Sequence, residues 1–416
     1  MELGPAPQRS GGGGMSEAVA EAHRRDWARV LAATVRLTRD LDLAEECVQD
    51  AYAQALRSWP VDGVPARPGA WLTTVARNRA LDVLRRETAL RRALPLLVTD
   101  TATPGPGEDD DRLRLVFTCC HPALSREAQV ALTLRLVCGL STAEVARAFL
   151  VPEPTMAARV TRAKRKISAA RIPYRVPSPD ELPERLGAVL DVVHLVFTTG
   201  HAAPVGERLV RQDLVDGAIG LGRMLRLLLP HDAEVAALLA LMLLIDARRD
   251  TRSAPDGRPL LLSEQDRARW DTRQIREGAD LLAFALRRGG PTRYAVEAAI
   301  AAVHAESPSW EATDWPQIVA LYDVLLDLWP SPVVALNRAV AVGLRDGPAA
   351  GLAELAPLLD EPALAGYAYL SAARADFLRR LGRLPEAAAA YEEALALTGN
   401  DAERAFLAGR LAEVSR

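Results

Sequence analysis

The sequence predicts an all-α chain of several domains, on three observations. Apolar residues recur at helical spacing in nearly every segment, and no stretch alternates as a half-buried strand would. Helix-start punctuation recurs, as in Asp42-x-x-Glu45 and Ser141-x-x-Glu144. The chain has 416 residues, 49% hydrophobic and 25% charged, which is too long for one ordinary core and too apolar for disorder. At roughly 100–200 residues per domain, two to four domains follow. The longest apolar run, Val235–Ile245, is well short of the roughly 20 residues needed to cross a bilayer.

Each element can be justified in order. Residues 1–15 are Gly/Pro-rich, lack an apolar signal core and read as a disordered tail. Four cysteines in so long a chain argue against a disulfide framework and for a reducing, cytoplasmic setting. Asp42-x-x-Glu45 reads as a capping box, opening a helix to Trp59 whose apolar side is Leu43, Cys47, Val48, Ala51, Tyr52, Ala55, Leu56 and Trp59. Pro60–Pro68 is a loop, and Gly69–Arg92 a second helix; together these make a domain over 16–94. Residues 95–111 form a flexible acidic linker, able to reach about 55–60 Å when extended. Helical pattern fills 112–171, and the Pro-rich residues 172–183 form a second linker. A helical domain over 184–290 carries a polar insertion, Asp246–Leu262. From 291 to 416 helix pairs alternate with short turns. Tyr369–Leu397 and a looser copy at Leu336–Leu355, roughly 35 residues apart, resemble tetratricopeptide repeats.

Charge divides the chain. Residues 1–175 hold 26 Lys+Arg against 20 Asp+Glu, and residues 176–416 hold 25 against 34, giving balances of +6 and −9. A basic front and an acidic back suit a front half that touches a polyanion. The sharpest local signal is Gly139–Ile167, GLSTAEVARAFLVPEPTMAARVTRAKRKI. Ser141 caps a short helix, Leu150–Glu153 turns, and Pro154 sits in the first turn of a second helix. Val160, Ala163 and Ile167 form its buried stripe, leaving Thr155, Arg159, Arg162, Lys164, Arg165 and Lys166 outward. A helix–turn–helix with a basic second helix docks that helix in the major groove. The second signal is Trp71–Arg92, where Asn78, Asp82 and Arg85 share a helical face among several arginines. Asn and Asp aimed at base edges, with Arg for phosphates, suit duplex or partly opened DNA. Read alone, that segment is more simply an ordinary solvated surface helix.

Together these segments resemble the extracytoplasmic-function (ECF) group of bacterial RNA polymerase sigma factors. Asp42–Trp59 is similar to the region 2 helix that grips the polymerase β′ clamp, Trp71–Arg86 to the −10 reading helix, and Gly139–Ile167 to the region 4 helix–turn–helix. The resemblance implies core RNA polymerase (β′ clamp and β flap) and promoter DNA as partners, with no cofactor and no metal. It assigns Glu46, Gln49 and Asp50 to polymerase contact. It assigns Asn78, Arg79, Asp82, Arg85 and Arg86 to the −10 element, and Thr155, Arg159 and Arg162 to the −35 element, with Lys164 and Arg165 on phosphates. One departure is the turn Pro152-Glu153-Pro154-Thr155, where many relatives have Ser-Glu-Gly-Thr; Met156, Ala157 and Ala158 follow in place of polar residues. The acidic run Glu108–Asp111 would imitate RNA in the exit path, or simply be a solvated linker. The back half resembles the TPR-like extension of the subgroup called ECF42, through LVFTTGH, DARRDTR, EQDRARWD and SPVVALNRAVAV. That resemblance implies a regulatory extension.

Other constellations are weaker. Cys119-Cys120-His121 has no second ligand pair at metal-finger spacing and reads as buried thiols. Asp246, Arg248, Arg249, Asp250 and Arg252 form a ligand pocket or, more simply, an ion-pair network. His194 and His201 lie near Asp191 without a Ser or Cys nucleophile, so the sequence gives catalysis no support. The rival readings are a one-component DNA-binding regulator with a sensing back half, and a repeat scaffold. Asp42–Trp59 favours the sigma reading, since a simple repressor has no need of that helix.

Overall fold

The computed structural model describes residues 12–92, 108–149, 151–201, 205–206, 210–254 and 258–415. It is helical throughout, apart from two two-residue strands, Val205–Gly206 and Gly399–Asn400, paired in parallel. The chain divides into two compact units, Met1–Val192 and Val193–Arg416.

In the first unit α1 (Gly12–Thr38), α2 (Leu41–Asp62) and α3 (Pro68–Arg92) pack on one another. Their core is Trp27, Val30, Leu31, Val48, Ala51, Trp59, Leu72, Ala76 and Ala80. Helix α1 begins at Gly12, inside the expected tail. The cap of α2 is Asp40, not Asp42: its Oδ1 accepts from the backbone N–H of Asp42 and Leu43 at 2.8 and 3.0 Å. That frees Glu45 from the expected capping box. Helix α2 also runs through Pro60 to Asp62, and Leu56, expected inward, is half exposed. The rest of this unit is α4 (Glu108–Cys119), α5 (Arg126–Leu132), a π turn (Thr133–Val137), α6 (Thr142–Ala148) and α7 (Glu153–Ala169).

Two expected linkers shorten. Glu108–Asp111 form the first turn of α4, and Asp111 is buried against Arg114 and Arg36 at 2.9 and 3.2 Å. An Asp111 so engaged is unsuited to imitating an RNA backbone. Residues 95–107 lie outside the described residues. In the 172–183 stretch the Tyr174 hydroxyl bonds to Ala32 O and Asp111 O at 3.0 and 3.1 Å. Helix α8 (Leu182–His201) then begins within the first unit. Arg185 donates to Phe117 O, and Arg126 pairs with Asp191 at 2.6 Å, so the unit ends near Val192 rather than at the expected boundary of 171.

The second unit holds α9 (Gln212–Leu228), α10 (Ala233–Asp246), α11 (Thr272–Gly289), α12 (Arg293–Glu306), α13 (Trp315–Leu328), α14 (Pro332–Arg345), α15 (Pro348–Leu355), α16 (Ala368–Arg380), α17 (Leu384–Leu397) and α18 (Asp401–Val414). Helix α10 is apolar all round and buried from Val235 to Leu244, wrapped by α9, α11 and α12. From α13 onward, consecutive helices pair as hairpins. Gly343 on α14 and Gly351 on α15 let these helices approach, since a Cβ on either would collide with the Phe377 ring of α16. Among the described residues no helix is long and apolar enough to cross a membrane.

Candidate nucleic-acid interface

Helices α6 and α7 form the expected helix–turn–helix. The Ser141 backbone N–H donates to Glu144 Oε2 at 2.7 Å, and the Glu144 N–H donates to Ser141 Oγ at 3.2 Å, a closed capping box. Pro154 lies in the first turn of α7, and Met156, Val160, Ala163 and Ile167 bury its inner face. Thr155, Arg162, Arg165 and Lys166 stand exposed on the outer face. Arg159 is half-buried, its guanidinium 5.4 Å from the centre of the Phe149 ring and 3.4 Å from Glu127. The exposed arginines fit a polyanion, because long cationic side chains on one helical face can each neutralise a phosphate.

Lys164 does not join them. Its ammonium bonds to Glu45 at 2.6 Å and Asp42 at 2.8 Å, both on α2, and the Lys164 and Glu45 side chains are only 8% and 9% exposed. Burial works against the Lys164 charge, yet Glu45 first and then Asp42 outweigh it and raise its pKa above the ordinary lysine value. The expected phosphate contact at Lys164 is therefore corrected: the side chain ties α7 to α2. Arg135, from the π turn, reaches the same Glu45 carboxylate and lies 5.7 Å from the centre of the Trp27 ring. Trp27 in turn donates Nε1–H to Leu136 O at 3.1 Å. Gly139 adopts a left-handed φ of 74° directly over the Trp27 ring, where a Cβ would crowd the indole. His23, its ring tilted against that of Trp27 with centroids 4.7 Å apart, has its pKa lowered by burial first and by Arg135 second. One seam thus binds α1 and α2 to the helix–turn–helix.

On the same helix as Glu45, α2, Glu46, Gln49 and Asp50 are exposed beside the seam, and Gln49 Nε2–H donates to Glu45 Oε1 at 3.3 Å. Arg79 of α3 pairs with Asp50 at 2.9 Å, an exposed ion pair between a residue expected at the −10 element and one expected to contact polymerase. Asn78, Asp82, Arg85 and Arg86 are exposed along α3, with Arg85 and Asp82 3.9 Å apart. Sequence reasoning missed Glu45, Arg135, Trp27 and Tyr174. The signal available for Lys164 was its spacing, four residues after Val160 and three before Ile167, on the buried stripe.

The weaker constellations resolve into separate contacts. Cys119 and Cys120 are buried, and burial pushes the Cys120 and Cys138 thiols up to about 11 and about 12. His121 Nδ1 accepts from Ala123 N–H at 3.1 Å. His194 pairs with Glu297 at 3.6 Å, whereas Asp191 pairs with Arg126. The charged insertion splits in two. Asp246 and Arg249 bond at 2.7 Å, and Arg249 also reaches Asp216 at 2.9 Å; together with Asp250 they line a cavity of about 380 Å³. Arg252 instead faces His201, at 3.2 Å from its Nδ1.

Comparison with known proteins agrees with this geometry. Residues 21–89 match Sigma-70 region 2, residues 114–167 match Sigma-70, region 4, and residues 185–286 match a family of unknown function, DUF6596. An uncharacterized protein of Rhizobium meliloti (strain 1021), R00370, is 43% identical over 390 residues, 91% of this chain and 92% of its own length. The ECF RNA polymerase sigma factor SigL of Mycobacterium tuberculosis (strain ATCC 25618 / H37Rv) is 33% identical over 138 residues, 32% of this chain and 77% of its own. The ECF RNA polymerase sigma factor SigK of Mycobacterium ulcerans (strain Agy99) is 28% identical over 160 residues, 36% of this chain and 84% of its own. With both sigma regions present in order, followed by a long helical extension, this chain belongs to the ECF RNA polymerase sigma factors.

Proposed function

We propose that this sigma factor binds core RNA polymerase in the cytoplasm and directs it to a subset of promoters, by binding rather than by bond-making. Glu46, Gln49 and Asp50 meet the β′ clamp, and the helix–turn–helix unit lies on the β flap. Asn78, Arg79, Asp82, Arg85 and Arg86 read the −10 element. Thr155, Arg159, Arg162 and Arg165 read the −35 element. The observation that carries this reading is the outer face of α7, where exposed Arg162, Arg165 and Lys166 surround Thr155 on a capped, fully packed helix.

The seam adds a condition. Elements centred near −10 and −35 are about 85 Å apart on B-DNA, at 3.4 Å per base pair. Lys164 bonds to Asp42, and Asp42 is about 12 Å along α2 from Asp50, which holds Arg79. The two reading helices are therefore held on the order of 30 Å apart, so the seam must open before both elements are read at once. The acidic extension regulates this activity. Run-off transcription with reconstituted core polymerase, using the full chain and a chain ending at Val192, tests the reading. It predicts a promoter-specific product that requires this protein and changes in yield on truncation. A full-length chain that yields no product and fails to co-elute with core polymerase would contradict it.

A further inference from the structure

We infer that a cavity beside Arg248, in the second unit, binds a small carboxylate. The cavity measures about 40 Å³ and is walled by Leu244, Ile245, Ala301 and the Trp270 ring, with Arg248 and His304 as its polar groups. Arg248 follows directly on α10, yet no acceptor among the described residues pairs with its guanidinium. The nearby Asp246 is turned away, engaged by Arg249 at 2.7 Å and Gln274 at 3.1 Å.

The surroundings of Arg248 are cationic rather than neutralising. Arg252 faces His201, 3.2 Å from its Nδ1, and its charge adds to that of Arg248. Arg267 lies 4.5 Å from the centre of the Trp270 ring and donates Nη1–H to His304 O at 2.6 Å and Ser307 O at 2.8 Å. Its Nη2 is buried without a partner, and so is His304 Nδ1. Burial first, then Arg252 and Arg267, pull the Arg248 pKa down to about 10. Burial, Arg248 and Arg267 likewise pull His304 down to about 4. A buried guanidinium nitrogen without a partner, such as Arg267 Nη2, is rare in folded proteins, because it forfeits its hydration. An anion at Arg248 would supply the acceptors that the chain does not.

Size and shape select the anion. A water needs about 10–15 Å³ of such space, so the cavity takes only a few non-hydrogen atoms and excludes a nucleotide. The planar fork of a guanidinium matches a carboxylate with two parallel hydrogen bonds. The apolar walls suit a short hydrocarbon tail, whereas a phosphate requires donors on every side. This inference concerns the second unit alone and does not depend on polymerase binding.

The test is thermal unfolding of the full chain in sodium propionate, with sodium chloride and sodium phosphate at matched ionic strength. Propionate is expected to give a saturable rise of about 2–5 °C at ten times its Kd, with no saturable rise in chloride or phosphate. Arg248→Met should abolish the propionate response. Ala301→Leu, which fills the cavity and keeps every charge, should abolish it too and decides the matter if Arg248→Met does not fold. A propionate response equal to that of chloride, an equal response to phosphate, or a response that survives in Ala301→Leu would each overturn the inference.

Discussion

Two basic side chains of this protein, Lys164 and Arg248, are withdrawn from solvent to different degrees and meet opposite surroundings. Lys164 enters the seam of the first unit and meets two carboxylates, Glu45 and Asp42, at bonding distance. Arg248, partly buried beside a cavity of the second unit, meets other cations, and burial lowers its pKa while that of Lys164 is raised. A buried charge with its partner in place serves as a structural tie, because removing either member strands the other. A buried charge whose neighbours have the same sign is poised for an external anion instead. Helical charge alone does not separate the two cases; the elements packed across from the side chain do.

The comparison can be broken most sharply at Glu45. Replacing it with Ala removes the carboxylate that Lys164 and Arg135 share, leaving Lys164 only the exposed Asp42 and Arg135 only Leu140 O and the Trp27 ring, and should cost about 2–4 kcal/mol, measured by urea unfolding of the full chain. Lys164→Met leaves Glu45 paired with Arg135 and should cost about 1 kcal/mol or less. Equal costs for the two variants would remove the asymmetry on which the seam argument rests.

Acidification comes next. His304 and His23 both have folded pKa values below the ordinary 6.5, His304 at about 4. The fold therefore favours their neutral forms. Their contribution to stability is complete above pH 6.5 and is lost as pH falls from 6.5 toward about 4. Melting temperature should fall across that window, and His304→Gln should flatten the decline. A melting temperature that rises on acidification would contradict the sign.

The smallest expected effect separates neighbours on α7. Arg162→Ala and Arg165→Ala should each weaken promoter binding by the polymerase complex and reduce the slope of log affinity against log salt by about 1. Lys164→Met should leave that slope unchanged. An equal loss of slope at Lys164 would restore it as a phosphate contact.

Much of the fold was legible because local rules agreed with tertiary packing. The capping box at Ser141, the Pro154 start and the stripe of Val160, Ala163 and Ile167 all point to one helix–turn–helix, and the structure forms it. The α2 cap was misplaced by two residues because Asp40 and Asp42 are both good caps, and only backbone geometry selects Asp40. Lys164 was misread because lysine chemistry was weighed above position. Its spacing from Val160 and Ile167 already placed it inward, but the carboxylates that make burial tolerable lie 119 and 122 residues away in sequence. The end of the first unit was missed for a similar reason. Proline-rich composition suggests a linker, whereas Tyr174 within that stretch and Arg185 just after it fasten the chain through backbone carbonyls that no sequence pattern marks.

The account is tested most directly by the distance between the two reading helices. Spin labels at Arg86→Cys on α3 and Arg165→Cys on α7, in a chain whose four native cysteines are replaced, would report that distance by double electron–electron resonance. The account predicts a separation on the order of 30 Å in the free chain, lengthening toward about 85 Å with core polymerase and promoter DNA. A separation that stays short while the same complex makes transcript would contradict it.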